Sequence, residues 1–216
     1  MIKDNFEVEN YRAQNSRWPG EGQVILAQYD DESVTVYQAY NKSIGQYAAT
    51  NGAFGGEFSF TRMTWIKPNF LWMMYRSGWG TKENQEVTLA IKVRRAEFDN
   101  ILKLAVPSSF DEEQYKSREE WQVHVKESDV RLQWDPDHDP LGEKQNRRAI
   151  QLGLRGSAVQ SFARDWLLGI SDISDFVSEQ RENITSGSID LLYTPKELVY
   201  LPTDESLHEK LGLCTG

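Results

Sequence analysis

Between Pro68 and Gly78 the chain runs Asn-Phe-Leu-Trp-Met-Met-Tyr-Arg-Ser, a segment that few surroundings can accommodate. Proline suits the first position of a helix and glycine its end. Phe70 to Tyr75 is apolar on every side, so this short helix is expected to be buried rather than laid on a surface. The wider stretch from Arg62 to Lys82 carries four cations, Arg62, Lys67, Arg76 and Lys82, and no acid, in a chain of net charge −9. Three of the seven tryptophans, Trp65, Trp72 and Trp79, recur in it every seventh residue. An unpaired buried cation is expensive. Arg76 is therefore expected to meet either an anionic ligand or an internal carboxylate such as Asp135.

The 216 residues suffice for one large domain or two small ones with a sizeable core. Aromatic residues at 12% and charged residues at 26% suit a folded chain rather than a disordered one. We expect an N-terminal arm over 1–22, one domain over 23–204 and a tail over 205–216. No run approaches the roughly 18 apolar residues of a membrane span. Met1 to Asn10 is too polar for a secretory signal, and the single cysteine, Cys214, allows no internal disulfide. A cytoplasmic setting is the expectation. The acidic balance argues against extended, non-specific duplex binding, yet leaves room for a phosphate-bearing small molecule or a nucleic-acid end in one basic pocket.

Strand and helix signals interleave without regular βαβ spacing. Val24 to Asp30 and Ser33 to Tyr40 predict a hairpin about Asp30-Asp31-Glu32. Asn41 predicts the start of a helix that Gly52 stops. Val87, Leu89, Ile91 and Val93 predict one face of a strand, and Phe98, Ile101, Leu102 and Ala105 a helical stripe. Ser108 to Glu120 is expected as a long surface excursion. Val130 to Trp134 and Arg148 to Leu154 are predicted strands around a loop over 135–146. Ser157 is expected to cap a helix whose stripe runs through Val159, Phe162, Ala163, Trp166, Leu167 and Ile170. A further helix over about 172–182 and a terminal strand near 198–201 complete the pattern. The fold class this implies is α+β: a single compact domain with a mixed or largely antiparallel twisted sheet flanked by helices.

Tyr29-Asp30-Asp31, Val36-Tyr37-Gln38-Ala39-Tyr40, Arg62 to Pro68, Trp72 to Trp79 and Gln133-Trp134-Asp135-Pro136 carry a resemblance, continued by Gln151-Leu152-Gly153-Leu154-Arg155. On these segments the chain resembles domain-of-unknown-function family 4291 over about Val24 to Ile173. One departure is visible, since Leu26-Ala27 stands where Arg-Ala is expected ahead of the Tyr-Asp pair. The resemblance implies a fold but no settled activity.

The basic aromatic segment predicts an anion pocket. Arg62, Lys67, Arg76, Lys82 and Arg155 are the expected phosphate contacts, with Tyr40, Trp65, Trp72, Tyr75 and Trp79 as stacking or lining rings. The competing reading is a core helix with an internally paired arginine. Gln38, Gln133, Gln151 and Asp135 are the expected catalytic or sugar-orienting groups, since amides and a carboxylate can align a ribose or polarise its hydroxyls. Each glutamine has an ordinary structural explanation as well. Asp135, Asp137 and Asp139 have the alternation of a calcium loop, but Pro140 stands where glycine is needed and Asn146 where the closing glutamate belongs, so no metal is expected. No Walker loop, Rossmann glycine pattern or serine elbow occurs.

Three functions remain. One is a nucleotide-handling enzyme, ADP-ribosyltransferase-like, with NAD as cofactor. Another is a non-catalytic module for nucleotides or RNA/DNA ends. The third is a protein-interaction domain anchored by tryptophans.

Overall fold

The computed structural model describes residues 6–214. The N-terminal stretch, expected as an arm, carries β1 (Val8–Asn10) and α1 (Tyr11–Asn15), with the Asn10 side chain accepting from the N–H groups of Arg12 and Ala13. Tyr11 and Trp18 are buried, and the Trp18 indole N–H donates to the Glu197 carbonyl at 2.9 Å. The partners that order this stretch lie at the far end of the chain, where local periodicity carries no trace of them.

β2 (Gly22–Gln23) and β3 (Leu26–Ala27) lead into β4 (Ser33–Tyr40). The Asp30 carboxylate accepts from the N–H groups of Glu32 and Ser33, which makes the expected tight turn. The hairpin itself is reduced to a bridge between Tyr29 and Val34, because Leu26–Ala27 pairs with Leu198–Val199 instead. α2 (Lys42–Asn51) starts and stops as its flanks predict: Asn41 accepts from the Ile44 N–H, and Gly52 has φ 64°.

After β5 (Thr64–Ile66) comes α3 (Phe70–Ser77). Asn69, not Pro68, opens it, since only a side-chain acceptor can take up the Trp72 N–H at 2.6 Å. Six of its eight residues are buried. β6 (Val87–Arg94) then alternates as expected. Its Val87, Leu89, Ile91 and Val93 join Val34 and Val36 in the main core, and α4 (Arg95–Leu104) covers them with Phe98, Ile101 and Leu102. Tyr37 and Ala90 face the opposite way, into a second core built with Phe70, Leu71 and Met74 of α3.

β7 (Val106–Pro107) precedes α5 (Arg118–Glu127), a helix with no buried residue that begins inside the expected surface excursion at the Ser117 cap. β8 (Val130–His138) and β9 (Lys144–Leu154) are longer than predicted. Their turn shrinks to 139–143, where the Asp139 carboxylate accepts from the N–H groups of Leu141 and Glu143. α6 (Gly156–Phe162) is shorter than predicted: Leu167 and Ile170 belong to β10 (Leu167–Asp172), which pairs along β6. The 3-4 spacing of those apolar residues is shared by two elements, and the open edge of β6 claims the second. α7 (Ser174–Thr185), β11 (Tyr193–Pro195), β12 (Leu198–Val199) and α8 (Ser206–Leu211) follow.

Two principal sheets organise this α+β domain. One is antiparallel, in the order β10-β6-β4; the other runs β2-β9-β8-β7. The long β9 serves two partners along one edge, β2 in parallel at Arg147 and Arg148 and β5 antiparallel at Leu152 to Leu154. The sheets meet where the Tyr37 N–H donates to the Lys67 carbonyl at 2.7 Å. Beyond that junction they splay. Among the described residues no helix is long and apolar enough to cross a membrane.

Candidate functional site

The splay opens a cleft of about 530 Å³. Strand alternation sends Gln38 and Tyr40 of β4 to one side of their sheet. The Gln38 amide N–H2 donates to Thr64 Oγ1 at 2.7 Å and to the Trp65 carbonyl at 3.1 Å, while the Tyr40 hydroxyl shares Thr64 Oγ1 at 2.8 Å. Thr64 therefore ties the two sheets at the cleft floor. Gln38 is 3% exposed, and its Oε1 is buried with no partner among the described residues. Burial pushes the Tyr40 hydroxyl up to about 12, so it serves as a neutral hydrogen-bonding group.

Across the cleft, the register of β5, β8 and β9 sets a polar row. Gln133 and Gln151 are paired directly, and Trp65 lies opposite Gly153. The glycine is a packing requirement, since a Cβ there would stand 2.7 Å from Met63 Sδ and 3.1 Å from the Trp65 ring. Both glutamines donate to one carboxylate: Gln133 Nε2 reaches Asp135 Oδ1 at 3.0 Å, and Gln151 Nε2 reaches Oδ2 at 2.6 Å. The carboxylate thus fixes the orientation of both amides.

Lys67 extends β5 into this row, and α3 brings Arg76 and Met73 to the rim. Arg62, Lys67 and Arg76 all line the cleft, and among the described residues no acid does. The expectation about which cation is buried needs correction. Arg76 is exposed on the last turn of α3, where a cation favours the helix dipole. Lys67 is the enclosed one, at 5% exposure. None of the ion pairs among the described residues includes Lys67 or Arg76. Burial, and then the charge of Arg76, push the Lys67 amine down to about 8, with Asp135 pulling weakly the other way.

Gln38, Tyr40, Arg62, Trp65, Lys67, Arg76, Gln133 and Gln151 are thus brought to one place, with Asp135 clasped by the last two. Five other expected residues lie elsewhere. Trp72 and Tyr75 stack with His138, at centroid distances of 5.3 and 3.5 Å. Trp79 is buried in the second core, edge-on to Phe70. Lys82 Nζ donates to the Arg76 carbonyl at 2.6 Å and finishes α3. Arg155 donates to the carbonyls of Lys126 and Ser128 at 2.8 and 3.0 Å, where it closes the end of α5. The seven-residue tryptophan spacing failed as a guide because it crosses a strand, a helix and a left-handed turn (φ 54° at Trp79), so it defines no common face. Met63, Met73 and Gln85 also line the cleft. Gln85 sits in a loop and carried no sequence signal.

Asp137 and Asp139 do not join Asp135. Asp137 pairs with Arg147 in a buried ion pair, and Asp139 is spent on its turn. Residues 24–200 match the family described as Domain of unknown function (DUF4291). No curated protein matches the chain.

Proposed function

The chain belongs to the DUF4291 family, whose description states no reaction, and from its cleft we propose a nucleotide-handling enzyme that binds NAD and transfers its ADP-ribosyl group. One observation carries the reading: in a chain of net charge −9, three cations and, among the described residues, no acid line a single cleft. Arg62, Lys67 and Arg76 would hold the diphosphate, and the half-buried Trp65 offers a ring for stacking. The Gln38 Oε1 is free to accept from a carboxamide or a ribose hydroxyl. Gln133 and Gln151, oriented by Asp135, would align the sugar.

In such a transfer the bond from ribose C1 to the pyridinium nitrogen breaks, and its electron pair leaves on nicotinamide. An acceptor oxygen or nitrogen then bonds to C1 and releases its proton. The protein's share is to position the acceptor and stabilise the oxocarbenium-like sugar. The split pair of sheets suits a site of this kind, which is an argument by analogy of fold.

Incubation with labelled NAD and mixed protein or nucleic-acid acceptors is expected to release nicotinamide, and NAD to raise the melting temperature. If neither occurs, the transferase reading is discarded. The second reading, a non-catalytic phosphate-binding module, draws on the absence of any carboxylate from the lining itself. Asp135→Asn and Gln151→Ala separate the two. Enzyme function predicts retained binding with turnover lost, whereas binding of NAD with no turnover in the parent chain supports the module. Burial of Trp72 and Trp79 leaves, of the three tryptophans in that segment, only the half-buried Trp65 for a protein-interaction role.

A further inference from the structure

We propose that Lys67 is a covalent amine nucleophile, which captures the aldehyde or ketone carbon of a phosphate-bearing sugar in the cleft as an imine. The inference rests on the anion-binding reading of the same cleft but not on NAD as its ligand.

A lysine that only holds phosphate gains from staying protonated, and exposure or a neighbouring carboxylate would keep it so. Lys67 has the opposite setting. It is enclosed at the junction of two sheets, it forms no ion pair among the described residues, and the cation Arg76 acts on it more strongly than the Asp135 carboxylate does. These surroundings ease the loss of its proton, with the amine pushed down to about 8. The fold already supplies charge for phosphate from Arg62 and Arg76, both exposed at the rim. Lys67 adds to that charge while protonated, and the fraction that has lost its proton is suited to attack on carbon.

The remaining requirements of imine formation are met by the surroundings. The amine attacks the carbonyl carbon, and the carbonyl oxygen takes up a proton to give a carbinolamine. Loss of water, with the nitrogen giving up its proton, yields the imine; no oxidant or reductant is consumed. Solvent water in the open cleft can carry those protons, and the charge of Asp135, held in place by Gln133 and Gln151, favours the positive charge of the protonated imine. The unpartnered Gln38 Oε1 can accept from a sugar hydroxyl.

The test is reductive trapping on the full chain. Ribose 5-phosphate with cyanoborohydride at neutral pH is expected to add one ligand mass less one oxygen atom, with peptide mapping placing the adduct on Lys67. Ribose without phosphate should trap at least tenfold more slowly. Lys67→Arg should lose the adduct while keeping a thermal shift with inorganic phosphate. Should that variant misfold, mapping on the parent chain decides alone. No adduct, or adducts spread over surface lysines at the rate seen in Lys67→Arg, overturns the proposal. If phosphate still shifts the parent chain's melting temperature in that case, the cleft reading stands and only the nucleophile is lost. If phosphate produces no shift and no adduct forms, both are lost.

Discussion

Lys67 concentrates the conflict between stability and function in this chain. Its amine is pushed down from 10.5 to about 8 in the folded state. Between those values the unfolded chain binds more protons than the folded one, so stability rises with pH across that window. Below about pH 8 the buried charge is a standing cost, on the order of 3 kcal/mol from the size of the shift. Lys67→Met is therefore expected to raise stability at pH 7 by up to about that amount, to lose the gain by pH 10, and to weaken phosphate binding, with Arg62 and Arg76 left to hold the anion. Denaturant titrations at the two pH values check it; a destabilised variant at pH 7 would contradict the burial argument. Sequence alone directed attention to Arg76, which shares a helix with large hydrophobes. Which residue of that helix meets water depends on its phase against β4 and β8, and phase is a tertiary property. The glutamines were legible as residue types, but their shared grip on Asp135 appears only once β8 and β9 are in register.

At the scale of elements, α3 is held at its start by a device the sequence hides. The Phe70 N–H donates to Glu197 Oε1 at 2.7 Å, and Glu197 is 1% exposed. Burial first, and also the nearby charge of Asp137, hold that carboxyl well above its ordinary value. A carboxyl with a raised folded pKa contributes fully below its unfolded value of 4.5, and the contribution is lost as pH climbs through the folded value. Glu197→Gln keeps an oxygen for Phe70 and has no charge to develop, so the decline in stability with rising pH should flatten. Glu197→Ala leaves the Phe70 N–H without its acceptor and should be less stable than the Gln variant by about 1–2 kcal/mol. Equal melting temperatures for the two variants would remove Glu197 from the support of α3. The start of α2 and the ends of α2 and α3 were legible because Asn41, Gly52 and Gly78 act on their immediate neighbours. The identity of β10 was not, because only β6 decides whether Leu167 to Asp172 extends a helix or completes a sheet.

For the whole molecule, the decisive feature is that a −9 chain gathers positive charge in one cleft only where two sheets part. The α+β class followed from the interleaving of patterns, while the cleft depends on the pairing of Tyr37 with Lys67 and of Trp65 with Gly153. Both contacts join segments remote in sequence, so no local signal marks where the sheets separate. The charge distribution predicts how nucleic acid would engage. A 5′-phosphorylated single strand can place its end among Arg62, Lys67 and Arg76, whereas a blunt duplex would bring its length against an acidic exterior that repels it. With three cations to neutralise, the logarithm of affinity should fall against the logarithm of salt concentration with a slope no steeper than about −2. Fluorescence anisotropy across a salt series measures this, with strands differing only in the terminal phosphate. Removing that phosphate should erase most of the binding, because the terminal group carries the charge that the three cations of the cleft meet. A steeper slope, or equal affinity without the end group, would mean that an extended face takes part and that the cleft is not the locus of recognition.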